Sequence, residues 1–142
     1  YNLSDWLEQG LQALTELGFE ALTIDAMCAR LKVTKGSFYH HFGNREAFLE
    51  ALLQHWEAHY TQEFITYSEV GQTPAERLSR LHERVISTFG TEEVALRAWA
   101  QGDSLARTYQ ERVDQQRIDY LYRQYLALTG DETYARSMAQ MV

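Results

Sequence analysis

The residues best suited to chemistry lie between Arg30 and Arg45. Four cations, Arg30, Lys32, Lys35 and Arg45, stand within sixteen residues with no Asp or Glu among them, and both lysines of the protein are here. Tyr39, His40 and His41 fall in the same run. Side chains of these types donate to phosphate oxygens and to the edges of bases. The rest of the chain is acidic. The formal net charge is −7, and the nine remaining Lys and Arg set against all 20 Asp and Glu leave −11 outside the run. A basic strip on an acidic body steers one face toward a polyanion while the remainder repels it. The plainer reading of the charges alone is a solvated loop.

Two other groupings could do chemistry. His55 and His59 are four residues apart, which puts two imidazoles on one helical face at zinc-ligand spacing. The metalloprotease pattern needs glutamate directly after the first histidine. Trp56 stands there, and no third ligand is evident in the sequence. The simpler reading puts both histidines between two parts of the chain. Cys28 is the single cysteine, so no internal disulfide forms, and a reducing cytoplasm suits it. Its place on the inner face of a helix makes it a small buried hydrophobe rather than a nucleophile. No glycine-rich phosphate loop and no nucleophile elbow occurs. Neither catalysis nor a cofactor nor a metal is expected.

These residues need elements to hold them, and the periodicity is helical almost throughout. Ser4 is expected to cap a first helix carrying Leu7, Leu11 and Leu14, stopped at Gly18. Thr23 caps a short helix with Ile24, Met27, Cys28 and Leu31 inward, and Thr34 caps a shorter one carrying Phe38. Asn44 opens a long helix expected to run to Phe64. Pro74 follows a Thr73 cap, the favoured place for proline. Further helices are read from Thr91 to Trp99 and from Leu105 to Leu128, and a last segment starts at Asp131 or Thr133. That segment ends in mid-period, so the second domain is expected to be incomplete, as the absence of Met at the start suggests trimming there. No apolar run is long enough to span a bilayer, no signal peptide is read, and a cytoplasmic, non-membrane protein is expected.

Two short helices joined by a tight turn make a helix-turn-helix when the second can enter a major groove. Thr34, Gly36 and Ser37 would let the backbone come close to DNA. Lys35, Tyr39, His40 and His41 would supply donors, and Phe38 and Phe42 would anchor the inner face. The run from Gly18 to Leu53, "GFEALTIDAMCARLKVTKGSFYHHFGNREAFLEALL", resembles the DNA-binding region of the TetR (tetracycline repressor-like) family. "VTKGSFYHHF" corresponds to the turn and recognition helix and "NREAFL" to the opening of the fourth helix. Lys32 departs from the family, which has glycine in that turn. A non-glycine residue in a left-handed turn costs about 1 kcal/mol. Local strain or another turn is expected, with an added phosphate contact from the lysine.

The resemblance implies an all-α fold, with a helix-turn-helix DNA-binding domain over residues 1–50 and an effector-binding and dimerisation domain over 51–142. It implies DNA contacts at Thr23, Lys35, Ser37, Tyr39, His40, His41 and Arg45, to which Thr34 and Gly36 add the close backbone approach. Lys35 and Ser37 would meet base edges, and Thr23, Tyr39, His40 and Arg45 would meet phosphates. It also implies a bacterial regulator, a repressor in most cases, binding a palindromic double-stranded operator as a homodimer and released by a small-molecule effector. His82, Phe89, Trp99, Tyr109 and Tyr120 offer aromatic surface with polar tips for such a ligand. The alternatives are a metal-binding sensor or enzyme using His55 and His59, and a DNA-binding protein with no effector.

Overall fold

The computed structural model describes residues 1–88 and 91–141, with the backbone alone for 84–88 and 91. Among these residues the chain is all-α. The helices are α1 (Leu3–Leu17), α2 (Ile24–Leu31), α3 (Lys35–His41), α4 (Arg45–Glu69), α5 (Pro74–Thr88), α6 (Thr91–Gln101), α7 (Ser104–Thr129) and α8 (Glu132–Met141), with a 3-10 turn at Phe19–Ala21. Two compact units share the chain. The first holds Tyr1–Glu57 and Thr91–Gln110, the second Ala58–Gly90 and Glu111–Val142. Helices α4 and α7 each contribute to both.

In the first unit, α1 starts two residues earlier than a Ser4 cap would place it. Asn2 accepts from the Asp5 amide at 2.9 Å, and the Asp5 carboxylate accepts from the Asn2 amide at 3.0 Å. This reciprocal box satisfies two orphan donors at once. Ser4 has Leu7 three residues on, which cannot return the bond, so Ser4 lies inside the first turn. Leu7, Leu11 and Leu14 are buried as their spacing requires. Gly18, at φ 85, ends the helix and donates to Leu14 O at 2.9 Å. The core is aromatic: Trp6 lies 5.7 Å from Phe38, and Phe42 lies 5.2 Å from Phe38 and 5.1 Å from Phe48. Helices α1 and α4 approach closely at Gly10, where a Cβ would stand 2.9 Å from Leu52 Cδ1. Helix α6 packs on α1, with Leu96 and Trp99 buried.

In the second unit, α4 continues past Phe64 to Glu69, because no breaker precedes Gly71. Thr73 Oγ1 accepts from the Glu76 amide at 3.1 Å, and Glu76 returns a bond to the Gln72 amide at 2.7 Å. Arg77 donates to Gly71 O at 3.0 Å and Arg80 to Tyr67 O at 2.8 Å, tying α5 to the end of α4. Asp131 caps α8 through the Tyr134 amide at 3.0 Å. Phe64, Leu78, Leu81, Tyr120, Leu121 and Tyr125 form the core, and Ala135 and Ala139 pack α8 against it.

Candidate nucleic-acid interface

Helices α2 and α3 form the helix-turn-helix. Thr23 Oγ1 caps α2 through the Ala26 amide at 3.1 Å, and Thr34 Oγ1 caps α3 through the Ser37 amide at 3.4 Å. Lys32 sits between them in the left-handed conformation, at φ 57 and ψ 47. Its amide donates to Ala29 O at 3.3 Å, and that of Val33 to Cys28 O at 3.0 Å. This is the Schellman pattern, in which glycine is the usual left-handed residue. The chain keeps the tight turn and accepts the strain. The Cys28 thiol, buried, donates to Thr34 O at 3.6 Å and so links α2 to the cap of α3.

Helix α3 divides its residues by face. Phe38 and Phe42 are buried in the aromatic core. Lys35, Gly36, Tyr39 and His40 are exposed with Thr34, and Ser37 is half-buried. Tyr39 keeps 53% of its surface, high for a large aromatic side chain with no covering element. His41 is half-buried, its ring 6.2 Å from that of Trp6 on α1. Nothing lies nearer than 3.6 Å to a Cβ built at Gly36, so space does not demand a glycine there.

The four cations are not equivalent. Arg30 donates to Glu16 and to Gln9 on α1, both at 3.2 Å, which makes it a strut of the unit. Lys35 Nζ lies 3.0 Å from Asp25 Oδ1, with both side chains largely exposed. The hydrogen bond and the charge of Asp25 raise the Lys35 ammonium above its ordinary value, so it stays protonated. Lys32 is exposed. Arg45, half-buried, donates from Nε to Leu22 O at 2.8 Å and holds its guanidinium 5.1 Å from the Phe19 ring centre. Asp25 escaped the reading along the chain because it lies outside the acid-free run; packing of α2 on α3 brings it to Lys35.

The residues read as ligand-lining are distributed over both units. Trp99 and Tyr109 are buried in the first, where Trp99 stacks on Phe19 with ring centres 5.1 Å apart and Tyr109 Oη lies 3.3 Å from Glu50 Oε1. Tyr120 is buried in the second core and donates to Glu69 at 2.8 Å. His82 is exposed on α5, and Phe89 lies outside the described residues. His59 Nε2 is 3.2 Å from Glu63 Oε1. Among the described residues no group of three or more His, Cys, Asp or Glu gathers into a metal-binding cluster, so the His55–His59 pair finds no such set around it. No described helix is long and apolar enough to cross a membrane.

Residues 7–52, which contain this helix-turn-helix, match the family model described as bacterial regulatory proteins, tetR family. The helix-turn-helix segment is of the TetR-family type. Its relatives include the transcriptional regulator AcuR of Cereibacter sphaeroides, 34% identical over 56 residues, which are 39% of this chain and 26% of AcuR. The HTH-type transcriptional repressor DhaR of a Mycobacterium species is 30% identical over 84 residues, 58% of this chain and 42% of DhaR. The chain thus matches well under half the length of these relatives. The reduced form of Escherichia coli NemR has the same fold, with a TM-score of 0.81 at 23% identity, covering 97% of this chain and 79% of NemR. The family-model match stops at residue 52, and the fold comparison covers 97% of the chain.

Proposed function

We propose that this chain is a sequence-specific, ligand-responsive DNA-binding repressor that acts on a palindromic operator as a homodimer. One observation carries the reading: α3 is pinned by Phe38 and Phe42 while Lys35, Tyr39 and His40 stand exposed on its other side. A helix held from behind and furnished with donors in front is what major-groove entry needs. Lys35 and Ser37 read base edges; Thr23, Thr34, Tyr39, His40, His41 and Arg45 fix register on the phosphates, and Gly36 permits close approach. Residues 1–50 carry this activity and residues 51–142 take the effector and the partner protomer. An effector that prefers one conformer of the second region shifts the population away from the DNA-competent one. Helices α4 and α7, which contribute to both compact units, are the elements to transmit it. DhaR, a transcriptional repressor by name, favours repression over activation.

The test is fluorescence anisotropy of the protein with DNA from upstream of its own gene and with a scrambled duplex, across a salt series. Preference for the native duplex and weakening with salt are expected, and Tyr39→Ala abolishes the preference while the protein stays folded. Equal binding to both duplexes by the wild type, or unaltered preference in the Tyr39 variant, would contradict the reading.

A further inference from the structure

We propose that Trp99, acting through Phe19, is a positioning residue for Arg45 and thereby sets a phosphate contact of the DNA-binding face. The inference rests on the reading of Arg45 as a phosphate contact and adds the means by which it is held. All the residues concerned belong to the first compact unit.

Arg45 is the first residue of α4, and its Nε donates to the carbonyl of Leu22, the residue before the Thr23 cap of α2. Its guanidinium lies 5.1 Å from the centre of the Phe19 ring, within cation–π range. Among the described residues its two terminal nitrogens make no hydrogen bond. They form a fork held at its base and open at its tip, the form suited to a phosphate. A long arginine side chain at a surface samples many rotamers, and fixing it before binding reduces the ordering that DNA must impose.

What holds Phe19 lies far along the sequence. Phe19 opens the 3-10 turn after Gly18 and is half-buried. Its ring stacks on Trp99 of α6, with centres 5.1 Å apart and planes 22° apart. Trp99 is 4% exposed, and its Nε1 donates to Asp103 Oδ2 at 3.2 Å. The other oxygen of Asp103 accepts from the amides of Leu105 and Ala106 at 2.9 and 3.1 Å, capping α7. The indole is therefore keyed to the corner between α6 and α7. A continuous set of contacts runs from that corner through Trp99 and Phe19 to the guanidinium. Any displacement of the corner is felt at Arg45, which gives this corner a physical hold on DNA affinity.

The experiment measures operator affinity against salt for the full chain by anisotropy, using the duplex that the wild type prefers. Losing one phosphate contact lowers the slope of log affinity against log salt by about 0.9. Arg45→Gln is expected to show that loss, and Trp99→Leu to reproduce it. Trp99→Phe keeps a ring on Phe19 and is expected to keep the wild-type slope. In the Arg45→Gln background, Trp99→Leu is expected to change the slope no further. If Trp99→Leu does not fold, Phe19→Leu breaks the same link from a half-buried site and carries the test. A wild-type slope in Trp99→Leu or Phe19→Leu overturns the proposal, as does an equal added loss in the Arg45→Gln background. A wild-type slope in Arg45→Gln overturns it while leaving operator recognition intact. Failure of the wild type to prefer any duplex removes both readings together.

Discussion

Lys32 is the clearest point at which this protein departs from local preference, and the departure has a measurable size. Its φ of 57 and ψ of 47 put a side chain where its Cβ crowds the carbonyl, a cost of about 1–2 kcal/mol for a non-glycine residue. Lys32→Gly removes that cost. It also gives the unfolded chain more freedom to lose, which offsets about 0.5–1 kcal/mol. A net gain of about 0.5–1 kcal/mol is therefore expected, with no packing lost because Lys32 is exposed. In urea unfolding that is a rise in midpoint of about 0.3–0.5 M for a slope of about 2 kcal/mol/M. Lys32→Ala is the necessary control. It removes the same charge and stem but keeps the left-handed strain, so its midpoint should stay near the wild type. A lower midpoint for Lys32→Gly, or an equal gain for Lys32→Ala, would show that the backbone conformation is not what costs stability here.

Three further outcomes follow from particular contacts. Asp25→Asn frees Lys35 from its 3.0 Å partner; the preference for the native over the scrambled duplex should rise, because Lys35 is then free to meet base edges, with little change in melting because the pair is exposed, and an unchanged preference would refute this. Gly71→Ala would set a Cβ 2.8 Å from the Arg77 amide nitrogen, whereas Gly43 has nothing within 4 Å; the first should destabilise by about 1–3 kcal/mol and Gly43→Ala by less than about 0.5 kcal/mol, so equal urea midpoints would contradict the packing described. Burial first of all raises the Cys28 thiol and the Tyr120 and Tyr125 phenols above their ordinary values of 9.0 and 10.0. The unfolded chain then loses those protons first, so their contribution to stability is complete below these values and is lost as pH rises through the raised ones; a urea midpoint that climbed above pH 9.0 would oppose this.

The caps were legible because they are local. Thr23, Thr34, Asn44, Thr73 and Asp131 each accept from an amide three residues on, so residue type and spacing suffice to find them. Asn2 shows the limit of that reading. Two competent caps stood close together, and the deciding signal was the acid at Asp5, which only one of them can pair with. The buried face of α3 was equally plain, since Phe38 and Phe42 repeat at helical spacing. The charges were less so. A count along the chain saw four cations of one kind, whereas the fold gives Arg30 to Glu16, Lys35 to Asp25 and Arg45 to a carbonyl and a ring.

The sequence by itself determined the helices, most of their N-caps and the helix-turn-helix with its inner and outer faces. Each of those depends on hydrogen bonds or apolar repeats within about two turns of chain. Only the tertiary structure decided which compact unit α6 joins, that Trp99 meets Phe19, and that Asp25 stands against Lys35. Those partners are distant in sequence, and many rings and charges could have satisfied one another equally well. The packing of whole helix faces chooses among them, and no local pattern records that choice.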